Sequence, residues 1–275
     1  MVFPKGEEAY IVGKVNNAGS THVGYYETDL ISEHDFSCET GDNLIANTNL
    51  EDLHKLANAA SSSYKVDKCV RVYLELEYQL VTEKGGASGA INFMTGLWNV
   101  VALLYQNENI TTNISQIFTW PTPDSYSTGT SLAALQSFRS NRPSFNGDLA
   151  HLVSRGAPTG GGIAYVNSLC TSYKYAYSYI YSNYSNFPTY SWSVNVLTHE
   201  MGHNLGSRHT HACVWNGNNT AIDGCGPVAG YPGNPGGCAT AALPTQGQGT
   251  IMSYCHLLSN VRIGFSYVLV RNRAI

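Results

Sequence analysis

The stretch that most constrains this chain is His199-Glu200-Met201-Gly202-His203-Asn204-Leu205-Gly206-Ser207-Arg208-His209. On a helix, residues four apart share one face, so His199 and His203 can offer two imidazoles to one metal ion. Glu200 stands beside His199, near such an ion but not aimed at it, where a general base for an attacking water belongs. Gly206 can adopt φ > 0 without a Cβ clash, so the helix can end there and the chain can turn back. That turn would bring His209 to the same ion. Three protein ligands leave one tetrahedral position open, which marks a catalytic rather than a structural zinc site. With 9 His and 27 Gly in 275 residues, the pattern arises by chance with odds on the order of one in ten thousand. A His-rich surface helix with a Gly cap is therefore a poor rival.

Further along, Ile251-Met252-Ser253-Tyr254 supplies the Met-turn that accompanies this extended motif. With both in place, the chain resembles the metzincin clan of zinc endopeptidases over most of residues 65–275. Gly161-Gly162-Ile163-Ala164-Tyr165 and the Cys-rich segment after His209 look most like secreted bacterial reprolysin/adamalysin-type proteases. The resemblance implies an α/β (α+β) catalytic domain. Its parts would be a five-stranded mixed twisted sheet, two long helices above the cleft (one of them the zinc-binding helix) and a small irregular disulfide-bonded lower subdomain. It implies Met252 as a hydrophobic floor under the metal. It also implies that Gly162, Ile163, Ala164 and Tyr165 form an edge strand on which an extended peptide substrate is added as a further strand. Two departures stand out. Animal adamalysins carry Asp after the third His, where this chain has Thr210. Tyr254 follows the Met by two, as in astacin- and serralysin-like members, where such a Tyr binds the zinc or stabilises the oxyanion; the alternative is a hydroxyl bonded locally in the turn.

Charge divides the chain. Residues 1–64 hold 3 Lys against 10 Asp/Glu, whereas residues 65–275 hold 12 Lys/Arg against 9. An acidic leader ahead of a mildly basic body suggests two parts that attract one another. No run of Lys/Arg points to nucleic acid, and no stretch of 18 uninterrupted apolar residues points to a membrane span. Met1–Glu8 lacks the apolar core of a signal peptide, so the chain is expected to begin inside a longer precursor. Its seven cysteines contain no C-x-x-C, which favours disulfides and export. Six lie in the body and allow 15 pairings; the seventh, Cys38, lies in the leader. An odd thiol in an exported protein needs a reason, and a thiolate is a good zinc ligand. Cys38 is thus expected to occupy the open metal position and keep the site latent, which resembles the cysteine switch of metzincin pro-segments. Asp35 and Asp42 are rival blockers.

Local patterns fill in the rest. Ala9–Val15 and His22–Tyr26 read as a hairpin, and Asn49–Ala60 as a short helix. The Ser61–Ser63 run reads as a linker. Strands are expected at Cys69–Tyr78, Ile114–Trp120, Asp148–Val153, Gly160–Val166 and Tyr173–Tyr184. Helices are expected at Ala90–Gln106, Ser131–Ser140, from Ser191 or Ser193 through the motif, and near Phe265–Val270. His151 reads as structural. Asp223 is a candidate for a structural Ca2+ or simply turns the chain. The resulting expectation is a pro-segment (1–64) and a monomeric catalytic domain (65–275), split into an upper part (65–206) and a lower part (207–275). The chain is read as a secreted zinc endopeptidase of protein or peptide substrates, with Glu200 as catalytic base and its own pro-segment as inhibitor. The rivals are a zinc hydrolase acting on peptide ends or a non-peptide amide, and a secreted glycan-binding protein built on the Tyr-rich strand.

Overall fold

The computed structural model describes residues 40, 69–126, 129–156, 161–231 and 236–265 in full, and residues 2–5, 8–14, 22–26 and 37–38 as backbone strands. The expected helix at Asn49–Ala60, the linker, Asp35, Asp42 and most of the C-terminal helix lie outside the described residues.

The chain divides into two compact units. One comprises residues 1–37, 183–195 and 209–275; the other comprises 38–182 and 196–208. In the first, β1 (Val2–Lys5), β2 (Glu8–Lys14) and β3 (His22–Tyr26) form a three-stranded antiparallel sheet. The expected hairpin is its β2–β3 half, paired from Tyr10↔Tyr26 to Lys14↔His22.

The second unit is built on a mixed sheet in the order β4-β8-β9-β7-β5-β6. Its five core strands are β5 (Val70–Leu76), β6 (Thr112–Thr119), β7 (Leu149–Ser154), β8 (Gly161–Ala164) and β9 (Tyr175–Tyr179). Only β8 runs antiparallel to its sheet neighbour β9, while β5, β6, β7 and β9 are parallel. The sixth strand is β4 (Ser37–Cys38), a piece of the acidic leader.

The strands were harder to bound than the helices. Cys69–Tyr78 looks half-alternating because Glu75 and Glu77 interrupt it, yet both carboxylates are buried. Glu75 accepts from Tyr73 Oη (2.7 Å), Trp120 Nε1 (2.8 Å) and Arg142 Nε (2.7 Å), and also from Tyr126 Oη. A carboxylate with four donors, one of them a guanidinium, is stable in a core that would reject it alone. The strand ends at Leu76, and Tyr78–Glu83 forms a short helix, α1, instead. The Tyr-rich stretch yields only a five-residue strand lying between β8 and β7. Tyr175 and Tyr177 are buried against Phe138, Leu135 and Ile163, so these two form core rather than an exposed aromatic strip.

Helix α2 (Ala87–Asn107) lies where the 3.6-residue spacing puts it, with Met94, Leu97, Trp98, Val101, Leu104 and Tyr105 buried. Contrary to the expectation of no possible span, it is by length and composition apolar enough to cross a membrane. Small residues and Thr or Asn positions break the apolar run without lowering its mean hydropathy far. Its apolar face is nevertheless the core of this unit. Helix α3 (Ser131–Asn141) is N-capped by Thr130, whose side chain accepts from the Ala133 amide at 3.1 Å.

His151 is structural, as its sequence context suggests. It is buried on β7, with Nε2 2.7 Å from Ser178 Oγ. Burial pushes its pKa down to about 3. Since an unfolded His titrates near 6.5, the stability held by the neutral ring is present above that pH and is lost as pH falls toward 3. Between pH 6.5 and 5 this one group removes about 2 kcal/mol. His151→Gln is expected to flatten the pH dependence of unfolding free energy between pH 7 and 5 by that amount. An unchanged slope in denaturant titrations would refute the assignment.

Candidate metal centre and edge strand

Helix α4 (Trp192–Asn204) carries the first two histidines of the motif. Its C-terminus closes as a Schellman motif: the Ser207 amide donates to the Gly202 carbonyl and the Gly206 amide to the His203 carbonyl, both at 2.9 Å. Gly206 sits at φ 106, the left-handed position that this motif requires. The turn has a chemical consequence. It places the Ser207 carbonyl 2.8 Å from His203 Nδ1. A carbonyl only accepts, so Nδ1 carries the proton and Nε2 presents its lone pair.

His203 Nε2 lies 3.1 Å from His199 Nε2, and ligand nitrogens of His199, His203 and His209 all fall within 4.8 Å of one another. Tetrahedral zinc with N ligands at about 2.0–2.1 Å needs nitrogens about 3.3 Å apart. The segment 199–209 therefore fits a zinc ion in donor type, with His203 held in the tautomer a ligand needs, and all three rings are buried.

The helix end is tied to the sheet of the same unit. The Asn167 amide donates to the His203 carbonyl (2.8 Å), and the Ser168 amide to the Asn204 carbonyl (2.9 Å). Asn204 Nδ2 donates to the Tyr165 and Tyr175 carbonyls, each at 3.0 Å. From behind, Tyr105 Oη donates to the Thr198 carbonyl at 2.7 Å. These ties hold a helix whose own hydrogen bonds would not fix it laterally. The sequence pattern marks Tyr105 only as part of a core-facing helix stripe, and Asn204 lies inside the motif at a position where the pattern accepts any residue.

Glu200 is fully buried and faces β8. A Cβ built on Gly162 would lie 2.4 Å from Glu200 Oε1, so the missing side chain is what makes room for the carboxylate. The expected substrate strand splits by face. Ile163 and Tyr165 enter the aromatic core, while Gly162 and Ala164 lie toward Glu200. The Ala164 amide donates to Thr40 Oγ1 at 2.8 Å, and Thr40 Oγ1 donates to Glu200 Oε2 at 3.0 Å. Thr40 comes from the leader, two residues after β4, and is buried. Nothing in its sequence context singles it out. Cys38 lies in β4, but its side-chain contacts lie outside the described residues.

In the other unit, the ring of His209 stacks on His211 (5.1 Å between centroids, 7° apart) and meets Tyr254 edge-on at 4.8 Å. Burial holds His211 neutral, its pKa pushed down to about 4. Met252 is fully buried, and its carbonyl accepts from the Thr210 amide at 3.1 Å. The Met-turn backbone is thereby joined to the residue after the third His. Two disulfides staple this irregular region, Cys213–Cys238 and Cys225–Cys255. Among the described residues Cys69 and Cys170 form no disulfide, so the six body cysteines make two bridges with one another rather than three. Asp223 Oδ1 accepts from the Cys225 amide at 3.0 Å, and burial pushes its carboxyl pKa up. It lies with Cys225 and Cys255, whose sulfurs are spent in the disulfide. Calcium prefers six to eight oxygens, so this trio is a poor calcium set and a good chain turn.

A buried histidine triad on a helix and turn, with a carboxylate beside strand β8, is the arrangement of a metallopeptidase site. Residues 66–262 match the Reprolysin_5 family model, metallo-peptidase family M12, and the chain belongs to that family. This agrees with the resemblance to metzincin proteases. No curated protein matches the chain. Among solved structures, a chain from a chaperone–substrate complex is 20% identical over 53% of this chain and 24% of its own length, with a TM-score of 0.41. Metalloproteinase-II from Bacteroides fragilis is 16% identical over 56% of this chain and 48% of its own length, with a TM-score of 0.33. The chain thus spans less than half the length of either.

Proposed function

We propose that this chain is a secreted zinc endopeptidase in latent form, with residues 1–64 as its pro-segment and 65–275 as a monomeric catalytic domain. The observation that carries the reading is the convergence of His199, His203 and His209, with Glu200 on the helix of the first two and facing strand β8.

When bound, zinc supplies a Lewis acid and lowers the pKa of a water toward ~7. The remaining work belongs to the protein. Strand β8 aligns an extended peptide through the Ala164 amide and neighbouring backbone groups, which favours cutting inside a chain over trimming its end. A Glu200 carboxylate oxygen takes the proton from the attacking water and returns it to the leaving amine nitrogen. The Tyr254 hydroxyl donates to the oxyanion of the scissile carbonyl. Met252 underlies the histidines with an apolar surface. In the latent form the Cys38 thiolate would serve as a further donor to such an ion.

Casein digested with the zinc-loaded protein and analysed by mass spectrometry is the test. Internal cuts that stop on chelation and return with zinc are expected. Ladders from peptide termini alone would favour an exopeptidase, and chelator-resistant cleavage would remove the metal from the account.

A further inference from the structure

We infer that Thr40 is the residue through which the leader silences Glu200, an assignment that rests on the peptidase reading above. Its hydroxyl performs two tasks in one place. As a donor it engages Glu200 Oε2 at 3.0 Å, and as an acceptor it takes the Ala164 amide at 2.8 Å. The first contact occupies one of the two carboxylate oxygens that could receive the water's proton. The second occupies an amide that a substrate strand would need. Both contacts are buried and span 160 and 124 residues of sequence, so local chain geometry does not impose them.

The placement of β4 supports the same conclusion. Ser37–Cys38 lies beside β8 at the end of the sheet, where an added substrate strand would lie. The leader therefore takes the substrate's position, and Thr40 brings a hydroxyl to the base. A methyl at this position would fill the same volume but offer neither bond. This differs from blockade by Cys38 alone, which acts on the metal and leaves the base untouched.

A hydrogen bond to an ionised, buried group corresponds to about a 10–100-fold equilibrium bias toward the closed form. The test uses the full chain, zinc-loaded, as wild type, Thr40→Val, Thr40→Ser and Cys38→Ala. Two readouts are taken: casein turnover, and hydrogen exchange of the Ala164 amide. Thr40→Val is expected to raise turnover at least about tenfold and to speed Ala164 exchange, while Thr40→Ser keeps the latency because it keeps the hydroxyl. If Thr40→Val changes neither readout, or if Thr40→Ser is released as fully as Thr40→Val, the inference is overturned. Activation by Cys38→Ala while Thr40→Val stays as latent as the wild type would also overturn it. Faster Ala164 exchange in Thr40→Val with no casein hydrolysis by any variant would uphold the Thr40 contact and overturn the peptidase reading instead.

Discussion

Glu200→Gln is expected to reduce casein turnover by about 10²–10⁴-fold, the range that a positioned general base contributes, while zinc content stays unchanged. The substitution replaces a carboxylate oxygen by an amide nitrogen at nearly constant volume. The buried slot beside Gly162 should therefore still be filled and the helix should keep its place. The amide oxygen can also accept the Thr40 hydroxyl. What disappears is proton affinity, since an amide does not take a proton from water near neutral pH. The three histidines are untouched, so metal retention separates loss of the base from loss of the site. Metal analysis alongside turnover provides the check. Activity within a few-fold of the parent would remove Glu200 from the mechanism.

Gly162→Ala should give the second large effect, from the opposite side of the same contact. The added Cβ would lie 2.4 Å from Glu200 Oε1, 2.5 Å from its Cγ and 2.7 Å from its Cδ. Real Cβ contacts do not come this close, so the glutamate must move. Gly162 does not have a left-handed φ, so the alanine backbone itself is unstrained and the cost is steric. Glu200 has no solvent-facing direction to retreat into, being fully buried. A displacement of about 1 Å at a reacting group costs on the order of 10²-fold in rate, and overpacking a tight site costs about 1–3 kcal/mol of stability. Turnover and thermal unfolding measured together should show both losses with zinc still bound. A variant that works and melts like the parent would mean that Glu200 does not depend on this strand for its position.

The metal motif was legible because its meaning is local. Spacings of four and the glycine at 206 fix a helix face and its end, and the structure realises them through the Schellman turn and the Ser207 carbonyl on His203. Helix α2 was legible for the same reason, since a 3.6-residue period reports burial on one side. Strands of a sheet covered on both faces lose that signal. The acidic position of β5 misleads further, because Glu75 is paired through Arg142, 67 residues away. The disulfides were open among 15 pairings, and among the described residues two body cysteines form none. Thr40 was the least legible residue of all. It is a small polar side chain in an acidic stretch, and its role comes only from partners at 164 and 200. A charge imbalance suggested that the leader would meet the body, but charge does not specify which hydroxyl meets which carboxylate.

The proposed site is one zinc ion held by three histidines and closed from the leader side. X-ray absorption at the zinc edge on the purified full chain measures that directly. It should find one zinc per chain with three nitrogens at about 2.0–2.1 Å and one sulfur at about 2.3 Å. In Cys38→Ala the sulfur should be replaced by a light atom, and in His203→Ala the zinc should be lost. A shell dominated by sulfur, or zinc that stays bound without His203, would contradict the central claim.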